Sequence, residues 1–265
     1  TLGGSSRMKL GTNFWNQAWS PPNNQLFSGS YLQVSGPNPW VPALIDELDY
    51  ANTLRFMEMQ QINRVATSIW LNRKQKDEQV QDELAYEWMI DLCNRKNANL
   101  WICLPTEVVD RNGVALGKEN YIKKLAILVK TGVDMGDIDL DQAVFADLSS
   151  LTRFDFIMLG GVVRSEPLAP QLKIYIEYSN ENWNGNFPQS AHLATEGQAM
   201  GFGWGPISAA RNFNGYASVK LFEGFEAVFG HNAHRVENIL PVQRMNLFYT
   251  NLNFTQIFDD TVTYN

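Results

Sequence analysis

Residues 173–181 read KIYIEYSNE, a short apolar run that ends in polar residues. Its β-branched and aromatic side chains predict a strand of a parallel sheet, because such strands are buried on both faces and are rarely longer than about eight residues. The same character predicts four further strands, at residues 8–15, 53–57, 99–105 and 235–242.

Helix-forming segments separate these strands, at residues 41–51, 79–96, 119–130 and 215–229. Strands that alternate with amphipathic helices predict parallel strands joined by right-handed crossovers, and therefore an α/β fold. An open dinucleotide-binding sheet would carry a glycine-rich turn after its first strand, and residues 11–15 (GTNFW) do not supply one. Polar residues at the strand ends, where barrel enzymes assemble their sites, favour a (β/α)8 TIM-type barrel.

The length of the chain, 265 residues, suits a single barrel domain spanning residues 1–265. Residues 131–171 are more than a strand–helix–strand connection needs, so we expect an insertion there, with residues 154–163 (FDFIMLGGVV) as an extra strand or hairpin. Residues 261–265 (TVTYN) resemble the start of a sixth strand. About six of eight barrel strands are then evident, and we expect the domain to be incomplete at its C-terminus.

The composition limits the choice of partners. A net charge of −7 argues against nucleic acid, which is bound through clustered basic residues. The nearest basic cluster, Arg73, Lys74 and Lys76, is interpreted as a solvated helix start because acidic residues follow it. No apolar run reaches the roughly 18 residues of a spanning helix, so no membrane span is expected.

Two features bear on compartment and redox state. The sequon Asn253-Phe254-Thr255 suits a secreted or extracellular protein. Cys93 and Cys103 both lie in apolar surroundings, which favours two buried free thiols over a disulfide. No cluster of His, Asp and Glu indicates a catalytic metal, and no cofactor is expected.

The most specific motif is IYIEYSNENWN at residues 174–184. It resembles the fourth strand of the clan A glycoside hydrolases, cellulase-like barrel enzymes in which this strand ends in an Asn-Glu pair. The resemblance is greatest to a group of secreted bacterial relatives that carry EYSNE followed by WN. Residues 53–57 and 88–105 resemble the second strand and the next helix and third strand of that group, so the likeness covers roughly residues 8–265 apart from the insertion.

The resemblance implies that Glu181 is the general acid/base, that Asn180 binds the sugar 2-hydroxyl and that Arg55 orients the catalytic carboxylates. Cleavage of a glycosidic bond supports such a set, since one carboxyl group must be protonated while a second is ionised. Four residues before Glu181, Glu177 is predicted to lie on the same strand face but deeper in the barrel, as a structural or orienting acid.

Further site residues follow from the strand ends. The substrate-binding residues are predicted to be Asn13, Trp15, Thr106, Tyr178 and Trp183. Indole faces stack on the C–H faces of sugar rings, which favours Trp15 and Trp183. Thr106 stands where the relatives often place a His. Further tryptophans are also predicted to lie in loops or near strand ends: Trp19, Trp40, Trp70 and Trp204. Trp88 and Trp101 fit the core.

The second carboxylate, the nucleophile of a retaining enzyme, is not evident. Only four glutamates follow Glu181 in the sequence, and they suit helices, loops or a strand interior: Glu196, Glu223, Glu226 and Glu237. The leading hypothesis is a retaining hydrolase of β-linked polysaccharide whose nucleophile lies beyond residue 265. A catalytically inactive barrel that serves as an extracellular carbohydrate-binding or structural protein is the alternative. A subunit of a secreted assembly, with a partner chain that covers an open barrel edge, is a third.

Overall fold

The computed structural model describes residues 40, 42–63, 67–78, 81, 83–114 and 119–242. The strands expected at residues 8–15 and 261–265 lie outside this part of the chain, as do the sequon and two of the predicted substrate contacts, Asn13 and Trp15. The described part has a mixed α/β fold with a central sheet of four parallel strands.

The elements of the described residues are named in chain order. The strands are β1 (Thr53–Arg55), β2 (Asn99–Leu104), β3 (Val109–Asp110), β4 (Gly113–Val114), β5 (Val133–Asp134), β6 (Val162–Val163), β7 (Ile174–Tyr178) and β8 (Val236–Ile239). The α-helices are α1 (Pro42–Glu47), α2 (Tyr86–Lys96), α3 (Tyr121–Thr131), α4 (Arg153–Met158), α5 (Pro188–Ala199) and α6 (Pro206–Phe229).

The central sheet has the order β1-β2-β7-β8, and every neighbouring pair is parallel. The prediction of a parallel α/β fold is thereby confirmed. The register places Arg55 beside Trp101 and Cys103 beside Glu177. Because side chains alternate between the faces of a strand, these four residues share one face of the sheet.

The opposite face of the sheet is aliphatic. Its side chains on the three adjacent strands are buried: Leu54, Leu100, Ile102, Leu104, Ile174 and Ile176. They belong to one hydrophobic core that includes residues of α2, α3 and α6. One face of the sheet therefore supplies the core, and the other carries charged and aromatic groups.

Helix boundaries differ from the expectations in several places, and α2 begins at Tyr86, seven residues after the predicted start. Helix α6 begins at Pro206, nine residues before the predicted start at Gly215, and α5 was not predicted at all. Within the described residues, no helix combines the length and hydrophobicity that crossing a membrane requires.

Residues 131–171 only partly match the expected strand or hairpin. Residues 153–158 form α4, because Thr152 and Asp155 make reciprocal capping hydrogen bonds at its start. Of residues 154–163, only Val162 and Val163 form a strand, β6, which pairs antiparallel with β5 near the start of the segment. The segment also contributes Val133, Phe156 and other buried side chains to the core.

The basic cluster at residues 73–76 is not solvated throughout, which corrects the interpretation from sequence. Arg73 is buried, and its Nη2 lies 2.9 Å from Oε1 of Glu87 and 2.8 Å from Oδ2 of Asp134. Trp70, expected in a loop near a strand end, is buried beside it and donates from Nε1 to Oδ1 of Asp134 at 2.8 Å. Two carboxylates thus compensate the charge of the guanidinium, which offsets much of the free energy that its burial costs.

Candidate functional site at the carboxyl edge of the sheet

Strand β7 ends in an irregular turn that carries the Asn-Glu pair. Backbone φ is positive at Ser179 (62°) and at Glu181 (41°), a left-handed conformation that is costly for residues other than glycine. The expectation that Glu177 and Glu181 share a strand face is therefore wrong, since the extended backbone stops at Tyr178. Glu177 instead projects from the extended strand, whereas Glu181 projects from the turn that follows it.

Glu177 is buried, and one of its carboxylate oxygens, Oε2, accepts hydrogen bonds from three neighbouring side chains. Its Oε2 lies 2.7 Å from Nη2 and 3.3 Å from Nε of Arg55. Nε1 of Trp101 donates to the same oxygen at 2.9 Å, and Sγ of Cys103 lies 3.3 Å from it. This carboxylate holds the guanidinium in a fixed orientation, the orienting role predicted for it.

The electrostatics of this cluster keep Arg55 charged and Cys103 neutral. Burial lowers the pKa of Arg55, but the charge of Glu177 and the hydrogen bonds to Glu177 and Cys103 more than offset this, and the pKa is raised. Burial also raises the pKa of the Cys103 thiol well above its ordinary value. Both cysteines of the chain are free and buried, which confirms that prediction.

Asn180 is fixed at both ends of its amide. Its Oδ1 accepts from Nη2 of Arg55 at 2.8 Å, and its Nδ2 donates to Oδ1 of Asn63 at 3.0 Å. Gln189, one residue into α5, donates to the carbonyl oxygen of Asn180 and to Oδ1 of Asn63, both at 2.9 Å. The structure thus brings together Arg55 and Asn180, two residues predicted for the site, but the hydrogen bonds of Arg55 go to Glu177, Cys103 and Asn180 and not to Glu181, beside which it was expected.

Glu181 directly follows this fixed amide and is partly exposed. Its Oε2 accepts from Nδ2 of Asn184 at 3.1 Å, and its carbonyl oxygen accepts from the Asn184 amide at 2.7 Å. The Glu181 side chain is therefore partly accessible to a bound molecule, one residue along the chain from the cluster of Arg55, Glu177 and Asn180.

The other predicted substrate contacts lie in different settings. Tyr178 is fully buried on the aliphatic face, and its hydroxyl donates to the carbonyl oxygen of Thr106 at 2.7 Å. Burial raises the pKa of this phenol well above its ordinary value. Its ring is accordingly not available to a ligand, which corrects its assignment. Thr106 and Trp183 are both partly exposed at the carboxyl edge, where Trp183 accepts from Nη2 of Arg211 through its carbonyl oxygen at 2.9 Å.

Trp101 belongs to the site although the sequence predicts a core position. Its ring stacks on Tyr175 with a centroid distance of 5.8 Å, and the guanidinium carbon of Arg55 lies 4.9 Å from its ring centroid. The signal was available in the alternation of β2, where Leu100 and Ile102 face the core and Trp101 must face the other way.

The glutamates that follow Glu181 in the described part of the chain all bond elsewhere. Glu196 pairs with Arg111, Glu223 with Lys220 and Glu237 with Lys173, while Glu226 accepts from Asn238. In the described ranges, no group of three or more His, Cys, Asp and Glu side chains is placed to hold a metal ion.

The site thus combines the Arg55–Glu177 ion pair, the fixed amide of Asn180 and the partly exposed carboxyl group of Glu181. All lie at or near the carboxyl ends of parallel strands, the edge at which α/β proteins bind ligands. Comparisons of the chain with family models, with curated proteins and with solved structures find no match.

Proposed function

We propose that this chain is a secreted retaining glycoside hydrolase that acts on a β-linked polysaccharide, with Glu181 as general acid/base. The observation that carries the proposal is the position of Glu181, partly exposed at a parallel strand's carboxyl end and adjacent to an amide that Arg55 holds in place. A (β/α)8 barrel is part of the proposal. It is supported by four parallel strands that neighbour each other in chain order, as barrel strands do.

In this mechanism Glu181 donates its proton to the glycosidic oxygen as the bond to the sugar C1 breaks. A second carboxylate attacks C1, and Glu181 later accepts a proton from the water that releases the sugar. The Asn180 amide retains one N–H and one lone pair beyond its bonds to Asn63 and Arg55, enough to bind a sugar 2-hydroxyl. The nucleophile is proposed to lie outside the described residues.

The substitution Glu181→Gln tests the proposal. Hydrolysis of hydroxyethyl-cellulose or glucomannan, measured by released reducing ends, should fall by at least about a hundredfold, because the amide cannot transfer the proton. Binding of the same polymers should be retained. Glu223→Gln, at an exposed position of α6, is the matched control and should keep full activity. Unchanged turnover in the Glu181 variant would refute the assignment.

A catalytically inactive carbohydrate-binding protein is the second candidate. It is favoured by the engagement of Glu196, Glu223, Glu226 and Glu237 with partners away from Glu181. Retention of the wild-type protein in polymer-containing gels without any release of reducing ends would select this candidate over the hydrolase.

A further inference from the structure

The loop between α5 and α6, residues 200–205, presents a tryptophan to solvent. Trp204 is 74% exposed, unlike Trp40 and Trp70, which are buried. Glycines at residues 201 and 203 adopt positive φ values of 73° and 68°, which gives the loop its tight path. Among the tryptophans that the structure describes, Trp204 alone is exposed, so its indole ring is accessible to a ligand.

The loop is held in a defined shape by Ser208. Its Oγ accepts from the backbone amides of Trp204 at 2.8 Å and Gly205 at 3.1 Å, and lies 3.0 Å from the Gly205 carbonyl oxygen. A Cβ at Gly203 would lie 2.3 Å from Oγ of Ser208, so glycine is required at this position. A loop fixed in this way loses little conformational entropy when a ligand binds.

Trp204 lies beyond the carboxyl edge of the sheet, the edge at which Glu181 also lies. Helix α6 ends at Phe229, and only the 3₁₀ helix Gly230–Arg235 separates it from the start of β8, at the amino edge. The helix has 24 residues and is therefore about 36 Å long, whereas β7 spans about 17 Å. Tyr216, near the middle of α6, already approaches Gly113, beyond the carboxyl end of β2. The start of α6 therefore extends past the carboxyl edge.

The chemistry around Trp204 favours a neutral ligand. Residues 197–210 (GQAMGFGWGPISAA) include no charged side chain. Ile207, 58% exposed, is the neighbouring large apolar residue on this surface. An aromatic side chain offers roughly 150–250 Å², well below the roughly 800 Å² that each partner buries in a stable protein interface. A flat apolar ring of this size matches the C–H face of a sugar better than a protein surface.

We propose that Trp204 is an accessory sugar-binding platform that stacks on a neutral polysaccharide chain whose other units occupy the site at Glu181. The substrate class of this inference rests on the proposed function. The platform lengthens the binding surface in the direction of the α5–α6 loop, so it acts on polymers and not on short substrates.

Affinity electrophoresis tests the platform without requiring catalysis. Hydroxyethyl-cellulose and glucomannan are the probes, and every variant is made in the Glu181→Gln background. Trp204→Ala should weaken retardation about fivefold, the loss expected for one stacking contact of about 1 kcal/mol. Phe154→Ala, which removes an aromatic ring that is 67% exposed on α4, is the matched control and should leave retardation unchanged.

Hydrolysis separates the platform from the catalytic proposal. With Glu181 present, Trp204→Ala should raise KM for glucomannan but leave hydrolysis of 4-nitrophenyl β-cellobioside unchanged. Equal retardation of the Trp204 and Phe154 variants, or no binding of either polymer, would overturn the platform. If the wild type binds but does not hydrolyse, and Trp204→Ala still weakens binding, the hydrolase proposal fails and the platform stands.

Discussion

At the scale of single residues, backbone strain is concentrated at the Asn-Glu pair. Ser179 and Glu181 flank Asn180, and both adopt the left-handed conformation that disfavours their side chains by roughly 1–3 kcal/mol. Such strain persists only where surrounding contacts impose it, and here Arg55 and Gln189 hold Asn180 between the two. The strained backbone thus lowers the stability of the fold but places the amide of Asn180 and the carboxyl group of Glu181.

Ser179→Gly should therefore stabilise the protein. Glycine adopts positive φ without a steric penalty, and the serine hydroxyl is buried with no hydrogen-bond partner among the described residues. We expect the free energy of unfolding in urea to rise by about 1 kcal/mol. Ser179→Ala, which removes the hydroxyl but keeps the strain, should gain less. A lower stability of the glycine variant would contradict the strain argument.

Glu177→Gln should lower the stability of the protein, although glutamine has nearly the same shape as glutamate. The change removes the charge that compensates Arg55 and weakens the bonds from Trp101 and Cys103. Because the Arg55 side chain is 32% exposed, water offsets part of the loss, and we expect a decrease of about 2 kcal/mol in the free energy of unfolding. In an Arg55→Ala background the same substitution should cost much less, and equal costs in both backgrounds would exclude coupling through the guanidinium.

At the scale of secondary structure, apolar runs located all four described strands of the central sheet. Each observed strand lies within its predicted segment, as β7 at 174–178 does within 173–181. The helices were harder to place. Asn212 and Asn214 lower intrinsic helix propensity just before Gly215, where the predicted helix starts, although tertiary packing keeps this part of α6 helical. Pro188 at the start of α5 was the available signal for the missed helix.

The same limits apply to the candidate site. Arg55 and Asn180 were predicted as members of one site because the carboxyl ends of parallel strands meet at one edge of the sheet, although β2 separates β1 from β7. Asn63 and Gln189 were not, since they reach Asn180 from a turn after β1 and from the unpredicted α5. Tyr178 was misplaced because its exposure depends on which face of β7 points to the core.

The contact between α5 and the β3–β4 turn should depend on pH. Hydrogen bonding to Arg111 lowers the pKa of Glu196 below its ordinary value of 4.5. Glu196 therefore binds a proton less readily in the folded protein than in the unfolded chain. The stabilisation by its charged form is complete above pH 4.5 and is lost as the pH falls through the lowered pKa. The wild type should exceed Glu196→Gln in stability at pH 7, and the difference should shrink below about pH 4.5.

Urea titrations at several pH values measure this difference. Glu226→Gln is the control, because Glu226 bonds the neutral Asn238 on the outer surface. A stability difference that stays constant, or that grows as the pH falls, would show that the carboxylate of Glu196 does not hold α5 in this way.

At the scale of the whole molecule, the segment at residues 131–171 is integrated with the sheet. Asp134 of β5 accepts from Arg73 and Trp70, and Arg73 also pairs with Glu87 of α2. Apolar side chains of the segment lie in the same hydrophobic core as the strands and helices. A segment tied to the core by buried charges cannot unfold alone without leaving those charges uncompensated.

Asp134→Ala should consequently destabilise the whole described fold. The change removes one of the two carboxylates on Arg73 and leaves Nε1 of Trp70 and the Gly136 amide without their acceptor. Glu87 still compensates the guanidinium, so we expect a loss of about 3 kcal/mol and not complete unfolding. Asp141→Ala, at an exposed position in the same segment, should change stability by less than about 0.5 kcal/mol. Tryptophan fluorescence and far-ultraviolet circular dichroism should report one shared transition in urea, and two separate transitions would mean that the segment unfolds independently.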